Sequence, residues 1–236
     1  VEVDPRVDAV TKLLPGINCG ACGYAGCAAL AEAIVNGGVS PSVCAPGGEE
    51  GAEKISKFLG LDVEKPDRKI AQIFCNSSIE ECPEKFEYKG VADCYIAYQH
   101  HGGNRKCNYA CLHYFSCKKI CPGDAIFINS KNLPEVNKDK CISCGKCVTE
   151  CPKDLIRLVA YNKTVHILCC SKDPGIIVNK ACKVGCIACQ KCVKECPVEA
   201  IYMEHNLAYI NYEKCILCAK CVKVCPKNVI IEEARG

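Results

Sequence analysis

The sequence predicts an α+β protein in which a small helical N-terminal domain is followed by two tandem modules of short helices and hairpins. Three observations lead to this prediction. The chain has 26 cysteines among 236 residues, cysteine-rich runs recur four times after residue 106, and the first part of the chain carries apolar residues at helical spacing. Without cysteine, apolar residues form roughly 38% of the chain, below the usual share of about 45–50%. Groups bound to the cysteines must therefore supply much of the cohesion of the fold.

Three of the runs share the pattern Cys-x2-Cys-x2-Cys-x3-Cys-Pro. This is the bacterial ferredoxin pattern, in which three thiolates hold one [4Fe–4S] cluster and the fourth ligates the neighbouring cluster. A tetrahedral zinc site has no use for the third closely spaced thiolate. Disulfide frameworks are typical of shorter secreted chains, and they usually join more distant segments. The ligands expected from these runs are Cys141, Cys144, Cys147, Cys151, Cys186, Cys189, Cys192, Cys196, Cys215, Cys218, Cys221 and Cys225.

A fourth run is degenerate, because Tyr114 stands where the second cysteine of the regular pattern would be. Cys107 is the natural substitute, and Cys121 would serve the neighbouring cluster. A shift of 75 residues aligns Cys111 with Cys186, which indicates an internal repeat. The sequence thus predicts ferredoxin-like two-cluster modules over residues 107–160 and 182–236. The set expected for the degenerate run is Cys107, Cys111, Cys117 and Cys151.

Residues 1–60 differ from the modules. Asp4 is a suitable N-cap, and Pro5 suits the first turn of a helix that ends before Pro15. Further helices are predicted at about residues 27–36 and 49–59. We predict a helical domain that holds one [4Fe–4S] cluster, with structural zinc as the alternative because this pattern is less specific. The expected ligands are Cys19, Cys22, Cys27 and Cys44.

The segments 61–106 and 161–181 connect these units and carry the remaining thiols. The first reads as a linker followed by a strand and a helix, and the second as a connecting strand. Residues 70–74 and 164–168 both resemble strands that end at a cysteine, and pairing them would bring these ends together. We expect a sixth [4Fe–4S] cluster there. Its expected ligands are Cys75, Cys94, Cys170 and Cys182, with Cys82 and Cys169 as substitutes.

The sequence shows no sign of bond-making chemistry. It has no glycine-rich nucleotide fingerprint and no P-loop, and no catalytic serine or cysteine arrangement stands out. It has no basic run with interleaved aromatic residues. We therefore expect no catalytic residues, no organic cofactor, no small-molecule substrate and no nucleic-acid partner. About six clusters in one chain indicate a conduit for single electrons, so any enzyme activity belongs to a larger complex.

Two stretches of the N-terminal part, Glu2–Pro5 and Leu14–Cys27, resemble the soluble part of the B subunit of the Rnf complex, a membrane-bound ferredoxin:NAD⁺ oxidoreductase. Stretches within residues 88–94, 170–175 and 182–187 look like the longer versions found in anaerobic bacteria. The resemblance implies that electrons enter from reduced ferredoxin and pass to membrane subunits that pump Na⁺ or H⁺. It also implies a place at the cytoplasmic face of the cytoplasmic membrane.

In this family an N-terminal membrane helix normally precedes the Val-Asp-Pro segment. We therefore expect membrane contact through partners or through such an anchor. Two other readings stay open. One is a soluble polyferredoxin or an iron–sulfur subunit of a one-carbon pathway enzyme. The other, from a different class, is a zinc-bound structural module.

Overall fold

The N-terminal part of the computed structural model, which describes residues 4–62 and 68–233, is a three-helix domain. Its helices are α1 (Pro5–Leu13), α2 (Cys27–Val35) and α3 (Gly48–Leu59), with two 3₁₀ turns between α2 and α3. The Asp4 side chain accepts a hydrogen bond from the backbone N–H of Arg6, at 2.9 Å, and so caps α1. The three predicted helices are confirmed. Most of the predicted linker, residues 63–67, lies outside the described residues.

The helical domain has its own small apolar core. Val10 from α1, Leu30 and Ile34 from α2 and Ile55 from α3 are each at most 1% exposed, and they pack together with Cys44. Because these residues lie on one face of each helix, burial of that face holds the three helices around the cysteine loop.

The next unit is built from two antiparallel strand pairs and three short helices. The β2–β3 hairpin is one pair. In the other, β1 pairs with β4 in a register that joins Lys69 to Ala160 and Ile73 to Ile156. The elements are β1 (Lys69–Ile73), α4 (Cys94–Gln99), α5 (Ser116–Lys119), β2 (Ile126–Ile128), β3 (Pro134–Val136), α6 (Lys146–Glu150) and β4 (Ile156–Ala160).

The last unit repeats this arrangement. Strands β6 and β7 form a hairpin, and β5 pairs antiparallel with β8. The elements are β5 (Val165–Ile167), α7 (Gly175–Ala181), α8 (Lys191–Glu195), β6 (Ile201–Glu204), β7 (Leu207–Ile210), α9 (Lys220–Val224) and β8 (Ile230–Glu232). In both units the strand that follows the second cysteine run folds back onto a strand that precedes the first run.

The predicted pairing of residues 70–74 with residues 164–168 is wrong. Each strand pairs instead within its own unit, where the N–H of Phe74 donates to the Leu155 carbonyl and that of Leu168 to the Val229 carbonyl. The ends of the two strands are nevertheless close, because the rings of Phe74 and His166 meet edge to face with centroids 6.2 Å apart. The two units therefore contact each other through side chains at these strand ends.

The apolar cores of both units are small and incorporate thiols. Ile126, Leu155 and Ile156 pack with Cys147 in the first unit. Val165, Leu207 and Val229 pack with cysteines in the second. Across the described part of the chain, none of the helices has the length and apolar character needed to cross a membrane.

Candidate iron–sulfur sites

The N-terminal thiols surround one cavity, which is lined by Cys19, Cys22, Cys27 and Cys44. Gly20 and Gly23 have φ values of +72° and +85°, which a residue with a Cβ rarely adopts, so the loop can turn tightly around the cavity. The Asn18 side-chain oxygen accepts a hydrogen bond from the N–H of Cys27 at 2.8 Å and ties the loop to the start of α2. The four residues expected from the sequence are thus brought together.

In the first module, the first three thiols of the regular run lie with Cys121 of the degenerate run. Burial raises the pKa of Cys147 to about 12, and the nearby thiols of Cys141, Cys144 and Cys121 raise it further. Backbone N–H groups donate to two of these sulfurs, from Ala71 to Cys141 at 3.4 Å and from Ala125 to Cys121 at 3.3 Å. Such thiols become thiolates only if a bound cation compensates the buried charge.

The degenerate run requires a correction to the expected ligand set. Its cavity is lined by Cys94, Cys111, Cys117 and Cys151. Cys94 occupies the place that we expected Cys107 to take, and Cys107 lies in another group. Tyr114, at the position of the missing thiol, packs against Tyr88 with ring centroids 5.5 Å apart.

A hydrogen-bond network holds Cys94 at this cavity. Asp93 caps α4, its carboxylate accepting from the N–H groups of Tyr95 and Ile96. The Ser116 hydroxyl at the start of α5 donates to the same carboxylate at 2.9 Å and accepts from the N–H of Cys94 at 2.9 Å. The one signal in the sequence for this arrangement is the N-cap residue Asp93 directly before a cysteine, which predicts a fixed position for that thiol.

The second module repeats the crossed arrangement. One cavity is lined by the first three thiols of one run and the last thiol of the other, Cys186, Cys189, Cys192 and Cys225. Burial raises the pKa of Cys221 to about 11, with smaller contributions from Cys215 and Cys218. Cys196 packs in the same core, and its sulfur accepts from the N–H of Ala200 at 3.2 Å, as Cys121 does from Ala125.

A further group of thiols lies where the two modules meet. Its cavity is lined by Cys75, Cys107, Cys169, Cys170 and Cys182. The expected set for a sixth cluster is therefore corrected, because Cys94 is absent from this group and Cys107 is present. Cys94 and Cys107 have exchanged the places that the sequence predicted for them.

Four of these thiols form two equivalent pairs in the internal repeat. The sulfur of Cys75 accepts from the N–H of Cys111 at 3.4 Å, and the sulfur of Cys169 accepts from the N–H of Cys186 at 3.4 Å. Cys107 and Cys182 each precede the first cysteine of a run by four residues. The repeat thus places two thiols from each module around the cavity.

The other two thiols of this region are Cys82, which lies beside the group, and Cys170, which also lines the cavity. Cys82 is fully buried and accepts a hydrogen bond from the N–H of Cys107 at 3.4 Å. The Arg157 guanidinium lies 3.7 Å from the sulfur of Cys170. Both were expected as members or substitutes, and the structure places both near the cavity.

Among the residues that the structure describes, no three His, Cys, Asp or Glu side chains converge closely enough to bind a single metal ion. The thiols instead surround cavities. A zinc ion needs four ligands that point at one centre, with sulfurs at about 2.3 Å, whereas an [4Fe–4S] cluster separates its four thiolates around a larger body. The thiolate donors and the cavities that they line fit a cluster.

Comparisons with known proteins agree with this chemistry. Family models match at three places: an Fe-S cluster model at residues 14–46, the LdpA Fe-S cluster-binding domain at residues 107–162, and a 4Fe-4S dicluster domain at residues 185–230. Together they cover segments of the N-terminal domain and of both modules.

Three relatives match about nine-tenths of the chain, and each is the B subunit of a complex. That of the Na⁺-translocating ferredoxin:NAD⁺ oxidoreductase complex of Acetobacterium woodii is 44% identical over 91% of this chain, which spans 64% of that protein. That of the ion-translocating oxidoreductase complex of Methanosarcina acetivorans is 40% identical over 91% of this chain and 81% of its own length. That of the proton-translocating ferredoxin:NAD⁺ oxidoreductase complex of Clostridium ljungdahlii is 39% identical over 89% of this chain and 75% of its own. The chain therefore belongs to the family of B subunits of ion-translocating oxidoreductase complexes.

Proposed function

We propose that this chain is a multi-cluster electron-transfer subunit of an Rnf-type complex. In this proposal it accepts electrons from reduced ferredoxin and passes them to membrane subunits, at the cytoplasmic face of the cytoplasmic membrane. The observation that carries the proposal is the grouping of thiols, because four separate cavities are each lined by four or five of them. The names of its relatives, B subunits of ion-translocating complexes, supply the system in which such a conduit works.

The proposal includes six [4Fe–4S] clusters, each with four thiolate ligands. For the sixth, the equivalence of Cys75 with Cys169 and of Cys107 with Cys182 favours those four, which leaves Cys82 and Cys170 beside the cluster. The proposed sets are Cys19, Cys22, Cys27 and Cys44; Cys121, Cys141, Cys144 and Cys147; Cys94, Cys111, Cys117 and Cys151; Cys186, Cys189, Cys192 and Cys225; Cys196, Cys215, Cys218 and Cys221; and Cys75, Cys107, Cys169 and Cys182.

The chain keeps these sites close to one another. Cys147 of one set lies in the short helix α6 and Cys151 of the next set follows its last residue. Burial raises the pKa of Cys117, and nearby thiols, Cys147 among them, raise it further. In the same way burial raises the pKa of Cys144, and Cys121 and Cys19 of the helical domain add to the rise. Iron–sulfur clusters bound at these sites supply one-electron transfer, and short distances between neighbouring sites favour it. Backbone N–H donors to the sulfurs and burial set the potentials.

A chemical analysis combined with two matched variants tests the proposal. We expect about 24 irons and as many sulfides per chain in the protein purified without oxygen. Cys94→Ser and Cys107→Ser should each disturb one cluster, and EPR spectra should show that the two lost signals differ. A colourless protein with zinc as its metal would contradict the whole proposal. Loss of the same signal in both variants would contradict the assignment of Cys94 and Cys107 to separate clusters.

A further inference from the structure

One charged side chain just before the first module is almost completely inside the protein. Arg105 is only 2% exposed and is the largest of the fully buried side chains. Its backbone forms an antiparallel bridge with Glu84, and the N–H of the next residue, Lys106, donates to the Pro83 carbonyl at 2.9 Å. The backbone pairing on both sides holds Arg105 in place, so its burial is a fixed feature of this segment.

The guanidinium of Arg105 has few partners for a buried cation, and the one thiol within its reach is that of Cys82. Its Nη2 donates to the Ser78 carbonyl at 2.6 Å. Its Nε and Nη1 have no hydrogen-bond partner, and within residues 4–62 and 68–233 no carboxylate forms an ion pair with it. A buried charge without a counter-charge is strongly unfavourable. An anion must therefore lie close to Arg105 in the folded protein.

Thiols are the groups near Arg105 that can supply this negative charge. Cys82, which is close enough to feel the charge of Arg105, packs in one buried cluster with Cys107 and Cys182. Arg105 is thus a fixed, buried positive charge beside Cys82 at the edge of this group of thiols, whereas the exposed Arg157 lies at Cys170.

We propose that Arg105 is the internal counter-cation of the sixth cluster and raises its reduction potential. An [4Fe–4S] cluster with four thiolates carries a net charge of about −2, and reduction adds one more electron. A fixed positive charge in a buried site stabilises the reduced form more than the oxidised form. Arginine suits this role, because it stays charged in proteins and is less strongly hydrated than lysine. The inference rests on the proposed function, since it requires a cluster at Cys107 and Cys182.

The test is an EPR-monitored redox titration of the cluster-loaded chain and of two variants, Arg105→Gln and Lys106→Gln. The sixth cluster is identified as the signal that both Cys107→Ser and Cys182→Ser remove. Arg105→Gln should lower the equilibrium constant for reduction of that cluster at least tenfold, which is 59 mV for one electron, and should leave the other signals in place. Lys106→Gln removes a positive charge from the neighbouring exposed position. It should change the equilibrium constant for reduction of the same cluster less than twofold.

The possible outcomes separate the two levels of the inference. If the two cysteine variants keep full iron content and every EPR signal, the sixth cluster itself fails. If they remove one signal but Arg105→Gln leaves its midpoint unchanged, the role of Arg105 fails while the cluster stands. If Arg105→Gln does not load iron, the same measurement on Arg105→Lys tests the role of the charge, because lysine keeps the positive charge. Loading of all clusters in the Lys variant supports the electrostatic role, and loss of the sixth cluster in both variants overturns it.

Discussion

The Ser116 hydroxyl holds Cys94 at the degenerate cluster, so Ser116→Ala should loosen that ligand specifically. The hydroxyl is 2% exposed, donates to the Asp93 carboxylate and accepts from the N–H of Cys94, both at 2.9 Å. Its removal leaves the half-buried N–H of Cys94 without a partner and the carboxylate with one donor fewer. The start of α4 is then held less firmly against α5, because α4 begins at Cys94 and is capped by the same Asp93.

The magnitude follows from these two bonds. An unsatisfied buried N–H costs about 1–3 kcal/mol, and a hydrogen bond to a charged group contributes about 1.5–3 kcal/mol. Asp93 is partly exposed, so water replaces much of the second contribution. We expect a total of about 2 kcal/mol, which corresponds to a roughly 30-fold larger population in which Cys94 has left the cluster site.

Iron loss to a chelator, followed without oxygen, measures this effect. In Ser116→Ala we expect about four of the irons to leave roughly 30-fold faster than in the unchanged protein, and the remaining irons to leave at the unchanged rate. Ser130→Ala, at an exposed position, is the matched control and should have no effect. Equal acceleration for all irons, or none, would refute the idea that Ser116 acts through Cys94.

Three further predictions follow from the same structure. Cys147→Ser and Cys151→Ser should remove different EPR signals, because the two residues lie in different thiol groups, and loss of one common signal would refute the crossed ligation. Burial lowers the pKa of His166, so the folded protein takes up a proton less readily than the unfolded chain. Stability should therefore be full above the ordinary pKa of about 6.5 and fall below it, and urea unfolding of His166→Gln between pH 8 and pH 5.5 should show a flatter dependence. Ile34→Ala should destabilise the helical domain by about 2–5 kcal/mol, measured by circular dichroism on heating, whereas Ile17→Ala at an exposed site should cost little.

Local spacing along the chain is enough to predict which of the first three thiols of each regular run lie together. Cys141, Cys144 and Cys147 are separated by two residues each, so the local loop places them around one site whatever the rest of the fold does. The same holds for the glycine-rich loop that carries Cys19 and Cys22, and for the three helices of the first domain. Local spacing was sufficient here because short loops and helices depend on neighbouring residues.

The tertiary structure decided the contacts that depend on distant residues. From the sequence, Cys94 and Cys107 are equally suitable as ligands for the degenerate run. The Asp93–Ser116 network places Cys94 at the cavity of that run, and Cys107 packs with Cys182 instead. Strand pairing was decided in the same way, since β1 can pair with β4 or with β5 on pattern alone. The burial of Arg105 has no signal in the sequence, because it depends on a bridge between segments that are about twenty residues apart. Sequence spacing specifies which thiols meet when only a few residues separate them. When the thiols are distant in sequence, packing and hydrogen bonds determine which of them meet.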